Sequence, residues 1–336
     1  MNTSNKTEQH QEQFFQLLRL SMGVTEQKDF VATDEDWQWL HKEADRQSLI
    51  GVIYGAMIQL PANQQPPVDL LIKWIYQADV INGKNELLNQ ESARLTKLFG
   101  DAGRRTAILK GQANARLYPD KFLRQPGDID IWVEGGRENV LSLLKTEPFA
   151  SMMGDKELKP EYHHVHLPTS DKRVIVEVHF LPSSGNFNPF TNRRLQRWLN
   201  MELINTESVE EGFNVPSVRF ALVMQLSHIQ HHFFRGGIGL RQIAGALMWV
   251  LGEVFQMDRA LILCKPDSYY GECMLREIME GGNFGHHAQR QHQRMWRRLF
   301  AGKLRQLRLM RFNFWEVFWM EVQFCKVVFQ TLLKCS

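Results

Sequence analysis

The sequence is poor in cysteine. Its 336 residues include four, Cys264, Cys273, Cys325 and Cys335, and no two stand in a CxxC spacing. That excludes a disulfide-stapled miniprotein, makes a thiolate zinc site a poor expectation, and predicts reduced thiols. No run of about 18 apolar residues occurs, so a membrane-spanning helix is not expected. Residues 1–13 are polar and lack an apolar h-region, which predicts no secretory leader and a cytoplasmic protein. Internal repeats and low-complexity tracts are missing too, which excludes solenoids and fibrous or disordered chains.

What is present is a globular composition, 43% hydrophobic and 11% aromatic, enough for one large or two modest domains. The net charge of +3 conceals an asymmetry. Residues 286–336 hold ten Lys/Arg and two acids, a charge of +8, which leaves −5 on the first 285 residues. A basic tail on a mildly acidic body points to an anionic partner or a docking surface.

The chain divides by texture. Residues 1–100 read as helical. Thr33 and Asp36 have the spacing of a capping box, the Gln64-Gln65-Pro66-Pro67 stretch marks a loop, and apolar residues from Leu71 to Phe99 recur at three- and four-residue steps. Residues 101–182 read as a small α/β unit. Three β-like runs, 105–110, 128–133 and 173–180, interleave with helical segments at 112–118 and 138–145. Residues 183–285 read as a helical domain, and 286–336 as basic, aromatic C-terminal helices.

Strand periodicity places the chemistry. In the run 128–133, Asp128 and Asp130 share one face and Ile129, Ile131 and Val133 the other. Two carboxylates whose Cα atoms stand about 6.6 Å apart on one side of a strand repel unless a cation lies between them. In the run 173–180, Glu177 and His179 share a face. If the two strands are neighbours, Glu177 completes a three-carboxylate set of hard oxygen donors suited to Mg²⁺ or Mn²⁺. Lys110-Gly111-Gln112 follows a strand and opens a helix, where backbone N–H groups can hold phosphate, and Lys110, Arg116 and Arg124 add positive charge.

These motifs come in an order. Leu109-Lys-Gly-Gln-Ala, Tyr118-Pro, Arg124, Gly127-Asp-Ile-Asp-Ile and Val176-Glu-Val-His resemble the uncharacterised nucleotidyltransferase family of the DNA polymerase β-like superfamily. His228 with His232, Gly237-Ile-Gly-Leu-Arg-Gln-Ile243 and Gly281-Gly-Asn-Phe-Gly285 are similar to its helical C-terminal motifs. The resemblance spans roughly residues 35–310. It implies an α+β chain, the minimal nucleotidyltransferase fold: a short mixed β-sheet with helices, flanked by N- and C-terminal helical regions. Asp128 and Asp130 match the metal-binding pair and Glu177 the third acid, in catalytic and metal-binding roles. Lys110, Gly111, Gln112, Arg124 and Arg241 fall where nucleotide is held.

The implied reaction transfers an NMP from an NTP to an acceptor hydroxyl and releases pyrophosphate, with Mg²⁺ (or Mn²⁺) bridging the carboxylates and the α-phosphate. The acceptor is a small molecule such as a sugar, or a protein side chain. Asp130→Ala is expected to abolish transfer and leave the fold intact. Two departures stand out: Gly111-Gln112 replaces the usual Gly-Ser or Gly-Gly turn, and Ala244-Gly245 stands where relatives carry an Asp. Both favour the alternative, a catalytically inactive interaction or membrane-surface docking protein on the same fold.

Several signals keep two readings. His163, His164 and His166 form either a metal site or a hydrogen-bonding loop beside the substrate. His228, His231 and His232 sit at helical spacing, as core hydrogen-bonding groups or as ligands. Arg241 reaches a phosphate or pairs with a carboxylate. The apolar stripe Trp296, Leu299, Phe300, Leu304, Leu307, Met310 and Phe314 reads as a helix docked on the body, or as a peripheral membrane contact with the aromatic 314–329 segment. No nucleic-acid recognition motif is present.

Overall fold

The structure, a computed structural model, describes residues 3–23, 29–153, 156–169, 171–185, 189–235 and 240–241. Four helices come first: α1 (Thr3–Ser21), α2 (Asp34–Arg46), α3 (Ile50–Met57) and α4 (Val68–Asp101). The expected capping box opens α2. The Asp36 N–H donates to Thr33 Oγ1 at 3.3 Å, and the Thr33 N–H donates to Asp36 Oδ2 at 2.9 Å. Trp37 and Trp74 meet edge to face at 6.0 Å between ring centroids, in a core that also takes Phe14, Leu40, Ile53 and Met57.

Helix α4 is the splint of the molecule. Its buried residues Trp74, Ala78, Ile81, Asn85, Leu88, Ser92, Leu95 and Phe99 alternate four- and three-residue steps, a straight stripe along one face. Trp74 and Ile81 belong to the N-terminal helical core, whereas Leu88, Leu95 and Phe99 belong to the core beneath the sheet. The two layers are therefore tied by one continuous element.

The sheet has four strands, β1 (Thr106–Ile108), β2 (Ile129–Val133), β3 (His164–Leu167) and β4 (Val176–His179), in the order β1-β2-β4-β3. β2 and β4 run parallel, and the two outer strands run antiparallel to their neighbours, so the sheet is mixed. Three short helices, α5 (Gln112–Ala115), α6 (Gly136–Leu143) and α7 (Phe149–Met153), connect the strands. Ile129, Ile131, Val133, Val165, Leu167, Val176 and Val178 pack with Val140, Leu144 and Phe149 and the second half of α4. The period-2 alternation leaves Asp130, Glu177, His179 and His164 on the opposite face.

The chain then forms α8 (Pro189–Glu202), a hairpin of β5 (Thr206–Ser208) and β6 (Asn214–Pro216), and α9 (Val218–Arg235). Leu199 and Leu203 of α8 and Phe220, Val223 and Met224 of α9 pack with Ala107, Leu109 and Trp132. The fold is thus α+β, a small mixed sheet among helices. Two elements depart from expectation. The loop expected at His163, His164 and His166 is in part a strand, β3, and the segment read as helical after residue 183 also carries the β5–β6 hairpin. Among the described residues, no helix is long and apolar enough to cross a membrane. The four cysteines, the side chains of His231 and His232, the Gly237 motif apart from Leu240 and Arg241, the Gly281 motif, Ala244-Gly245 and the tail 286–336 lie outside the described residues.

Candidate active site

β2 and β4 are neighbours, and their register sets Asp130 directly opposite Glu177. Asp128, one residue before β2, points to the same side. One oxygen from each of the three carboxylates lies within 4.8 Å of the others. Asp130 is 1% exposed, and its Oδ2 is buried with no hydrogen-bond partner. A buried carboxylate oxygen left unpaired beside two further carboxylates is a hard-donor arrangement that fits a divalent cation.

Lys110 and His179 already meet Asp130. Lys110 Nζ lies 2.9 Å from Asp130 Oδ1, and His179 Nε2 lies 3.0 Å from the same oxygen. Burial alone would raise the Asp130 pKa, but the charge of Lys110 and the hydrogen bond from His179 outweigh it and hold the group ionised. Asp128 goes the other way: burial, then the charge of Asp130, raises its pKa. Burial likewise opposes ionisation of Glu177, yet the hydrogen bond from His179 at 3.3 Å holds its pKa below the usual range. His179 is raised in turn, because its bonds to the two carboxylates exceed the desolvation that lowers it. His163 is depressed to about 3, first by burial and then by the charges of His179 and His164.

The Lys110-Gly111-Gln112 turn is built against the carboxylates. Leu109 N–H donates to Asp130 O at 2.9 Å. Gly111 adopts a left-handed φ of +60°, and a Cβ there would stand 3.2 Å from Asp128 O. The Gln112 side chain does not reach toward this face. It is buried and donates to Asn85 O at 3.2 Å and Asn89 Oδ1 at 2.7 Å on α4. The long residue in the turn is therefore an anchor to the splint helix.

Arg124 and Arg241 come together from distant parts of the chain. Their Nη1 atoms lie 3.4 and 3.3 Å from the same carbonyl, that of Gln125. Burial and then the Arg124 charge lower the Arg241 pKa, which Asp128 partly restores. Arg241 thus contacts a backbone oxygen. Asn85 fixes this loop, its Nδ2 standing 2.7 and 2.9 Å from the carbonyls of Phe122 and Arg124.

Asn85, Asn89 and His179 were not among the sequence-derived site residues. His179 carried a signal, its i+2 spacing from Glu177. Asn85 carried only its place on a buried helical stripe where an apolar residue is the rule, and Asn89, half-buried beside that stripe, carried no signal.

The profile of a family described as "uncharacterised nucleotidyltransferase" matches residues 33–258. No curated protein matches the chain. Among solved structures, an antigenic nucleotidyltransferase-like protein from Paracoccidioides brasiliensis is similar at 16% identity and a TM-score of 0.35, over 60% of this chain and 92% of that one.

Proposed function

The chain belongs to the uncharacterised nucleotidyltransferase family, and on that footing we propose that it transfers an NMP from an NTP to an acceptor hydroxyl and releases pyrophosphate. The observation that carries the reading is the Asp128, Asp130 and Glu177 cluster, with ligand oxygens within 4.8 Å of one another and one buried oxygen left unpaired. These residues would hold Mg²⁺ or Mn²⁺, which supplies Lewis-acid activation of the acceptor hydroxyl and charge neutralisation at the phosphates. Asp130, kept ionised by Lys110 and His179, anchors the site from the buried side. Asp128 is less buried than Asp130 and its pKa is raised by burial and the Asp130 charge. Glu177 completes the set and would help bind the cation or take the acceptor proton.

Lys110 is fixed on Asp130 and so balances charge inside the site, from where its ammonium would meet a phosphate oxygen. Arg124 and Arg241, held together on the Gln125 carbonyl near Asp128, are the guanidinium pair placed for the outer phosphates. The Gly111 turn lets the backbone pass beside Asp128 without a side chain in the way.

One observation favours the second reading, a catalytically inactive protein on this fold. Lys110 and His179 already supply positive charge to Asp130, so the cluster is partly compensated without a metal. Incubation with each α-labelled NTP and Mg²⁺, with and without hydroxyl acceptors, separates the two. Transfer of label to an acceptor or to the protein supports catalysis. Thermal stabilisation by NTP and Mg²⁺ without any transfer supports the inactive reading.

A further inference from the structure

Beside the carboxylate cluster lies a second group of different chemistry. His163, His164, Glu177 and His179 each offer one ligand atom within 4.8 Å of the other three. Two of the histidines are nearly inaccessible, His164 at 5% and His179 at 1%. The separations run in a chain: 3.1 Å from His163 Nε2 to His164 Nδ1, 3.5 Å from there to Glu177 Oε2, and 3.3 Å from that oxygen to His179 Nε2. Tetrahedral zinc, with bonds of about 2.0–2.1 Å to nitrogen and oxygen, sets its ligands roughly 3.3 Å apart, close to these three separations, and the remaining pairs lie within 4.8 Å.

The outward nitrogens supply what metal-bound imidazoles need. His179 Nδ1 faces the Leu181 carbonyl at 3.3 Å, an acceptor that would keep the proton on that nitrogen, while Nε2, which hydrogen-bonds Asp130 and Glu177 without a metal, would give up its proton to ligate one. His164 Nε2 is buried without a hydrogen-bond partner and has the Glu161 carboxylate 3.8 Å away. A backbone carbonyl behind one ligand and a carboxylate behind another is the outer shell that orients metal-ligating histidines. His163 is pinned from its backbone, whose carbonyl accepts from the N–H groups of Phe180 and Leu181 at 3.0 and 3.1 Å. The β3–β4 register, His164 opposite His179, brings the set to one face.

We propose that His163, His164, His179 and Glu177 form a zinc site, separate in ligand chemistry from the carboxylate cluster and joined to it through Glu177. Three imidazoles and one carboxylate select a late first-row ion over Mg²⁺. With four protein ligands the site is closed, so its role is structural, clamping β3 to β4 and fixing Glu177 for the neighbouring cluster. The proposal does not depend on nucleotidyl transfer.

The test uses the full-length, tag-free protein stripped of metal and titrated with Co²⁺, whose visible d–d absorption distinguishes four- from six-coordinate sites. The expected result is a four-coordinate spectrum that saturates at one equivalent, is abolished by stoichiometric Zn²⁺ and survives excess Mg²⁺. His163→Gln and His164→Gln should weaken binding at least tenfold, whereas Asp128→Asn should leave it within twofold. His163→Cys, which restores a ligand, should recover tight binding with an added sulfur-to-metal charge-transfer band, and so guards against a variant that merely misfolds. A six-coordinate spectrum, or binding lost in Asp128→Asn and kept in His163→Gln, would overturn the proposal by placing the ion among the carboxylates.

Discussion

Asp130 does two jobs, and its substitutions report on both. It faces the other carboxylates, and it is also the buried counter-ion of Lys110 and His179. Asp130→Ala removes the buried carboxylate that Lys110 and His179 share and leaves Lys110 without its ion-pair partner, so the variant should lose about 3–5 kcal/mol of stability together with activity, measured by denaturant unfolding. Lys110 allows a sharper test. Its Nζ competes with any divalent cation for Asp130 Oδ1, so Lys110→Met should tighten Mn²⁺ binding about three- to tenfold while slowing turnover, with free Mn²⁺ followed by paramagnetic resonance. Unchanged or weaker Mn²⁺ binding would show that Lys110 does not guard that oxygen. Asp128, Asp130 and Glu177 could be read from the sequence because strand alternation puts acids on one face and Ile or Val on the other. The role of Gln112 was hidden, because which way a turn residue points depends on Asn85 and Asn89, some 23 to 27 positions away.

Helices hold the site loop in place, and α3 does so at a single atom. A Cβ on Gly51 would stand 2.1 Å from Leu123 O, a backbone atom that cannot swing aside. Gly51→Ala should therefore displace the loop carrying Arg124 and cost about 1–3 kcal/mol, against the gain expected of alanine in an ordinary helix, as thermal unfolding would show. The cap of α2 gives a pH test. Burial opposes ionisation of Asp36, yet hydrogen bonds from Thr33, His10 and Gln13 bring its pKa from 3.8 to about 2. A folded-state pKa below the unfolded one adds stability above about 3.9, lost as pH falls through about 2. Asp36→Asn should therefore be less stable than wild type near neutrality, and the gap should close toward pH 2. A gap that persists there would mean the loss is steric. The α2 cap was legible from Thr33 and Asp36 alone, and β2 and β4 from their alternation. β3 was not, because four residues reading His-Val-His-Leu carry too little apolar signal. Its strand character comes from pairing with β4. The β5–β6 hairpin, short and polar on its first strand, was hidden for the same reason.

Across the whole molecule, residues from four separate stretches meet at one face: Lys110 after β1, Asp128 and Asp130 at β2, the histidines at β3, and Glu177 with His179 on β4. Helix α4 links that face to the N-terminal core, and Leu240 N–H reaches back to Gln47 Oε1 at 3.0 Å, so the fold closes around the site loop from both ends of the described chain. The sequence announced the order of motifs and the helical casing, but not how the casing holds the site loop, since Asn85, Gly51 and Gln47 act only through tertiary contact. The measurement that bears most directly on the account is Mg²⁺-dependent pyrophosphate release from the four NTPs, wild type against Asp128→Asn. Release by the wild type that falls at least about 100-fold in the variant, with unfolding temperatures alike, is the predicted result. Equal release by both proteins would contradict it, as would none from the wild type with any nucleotide and acceptor.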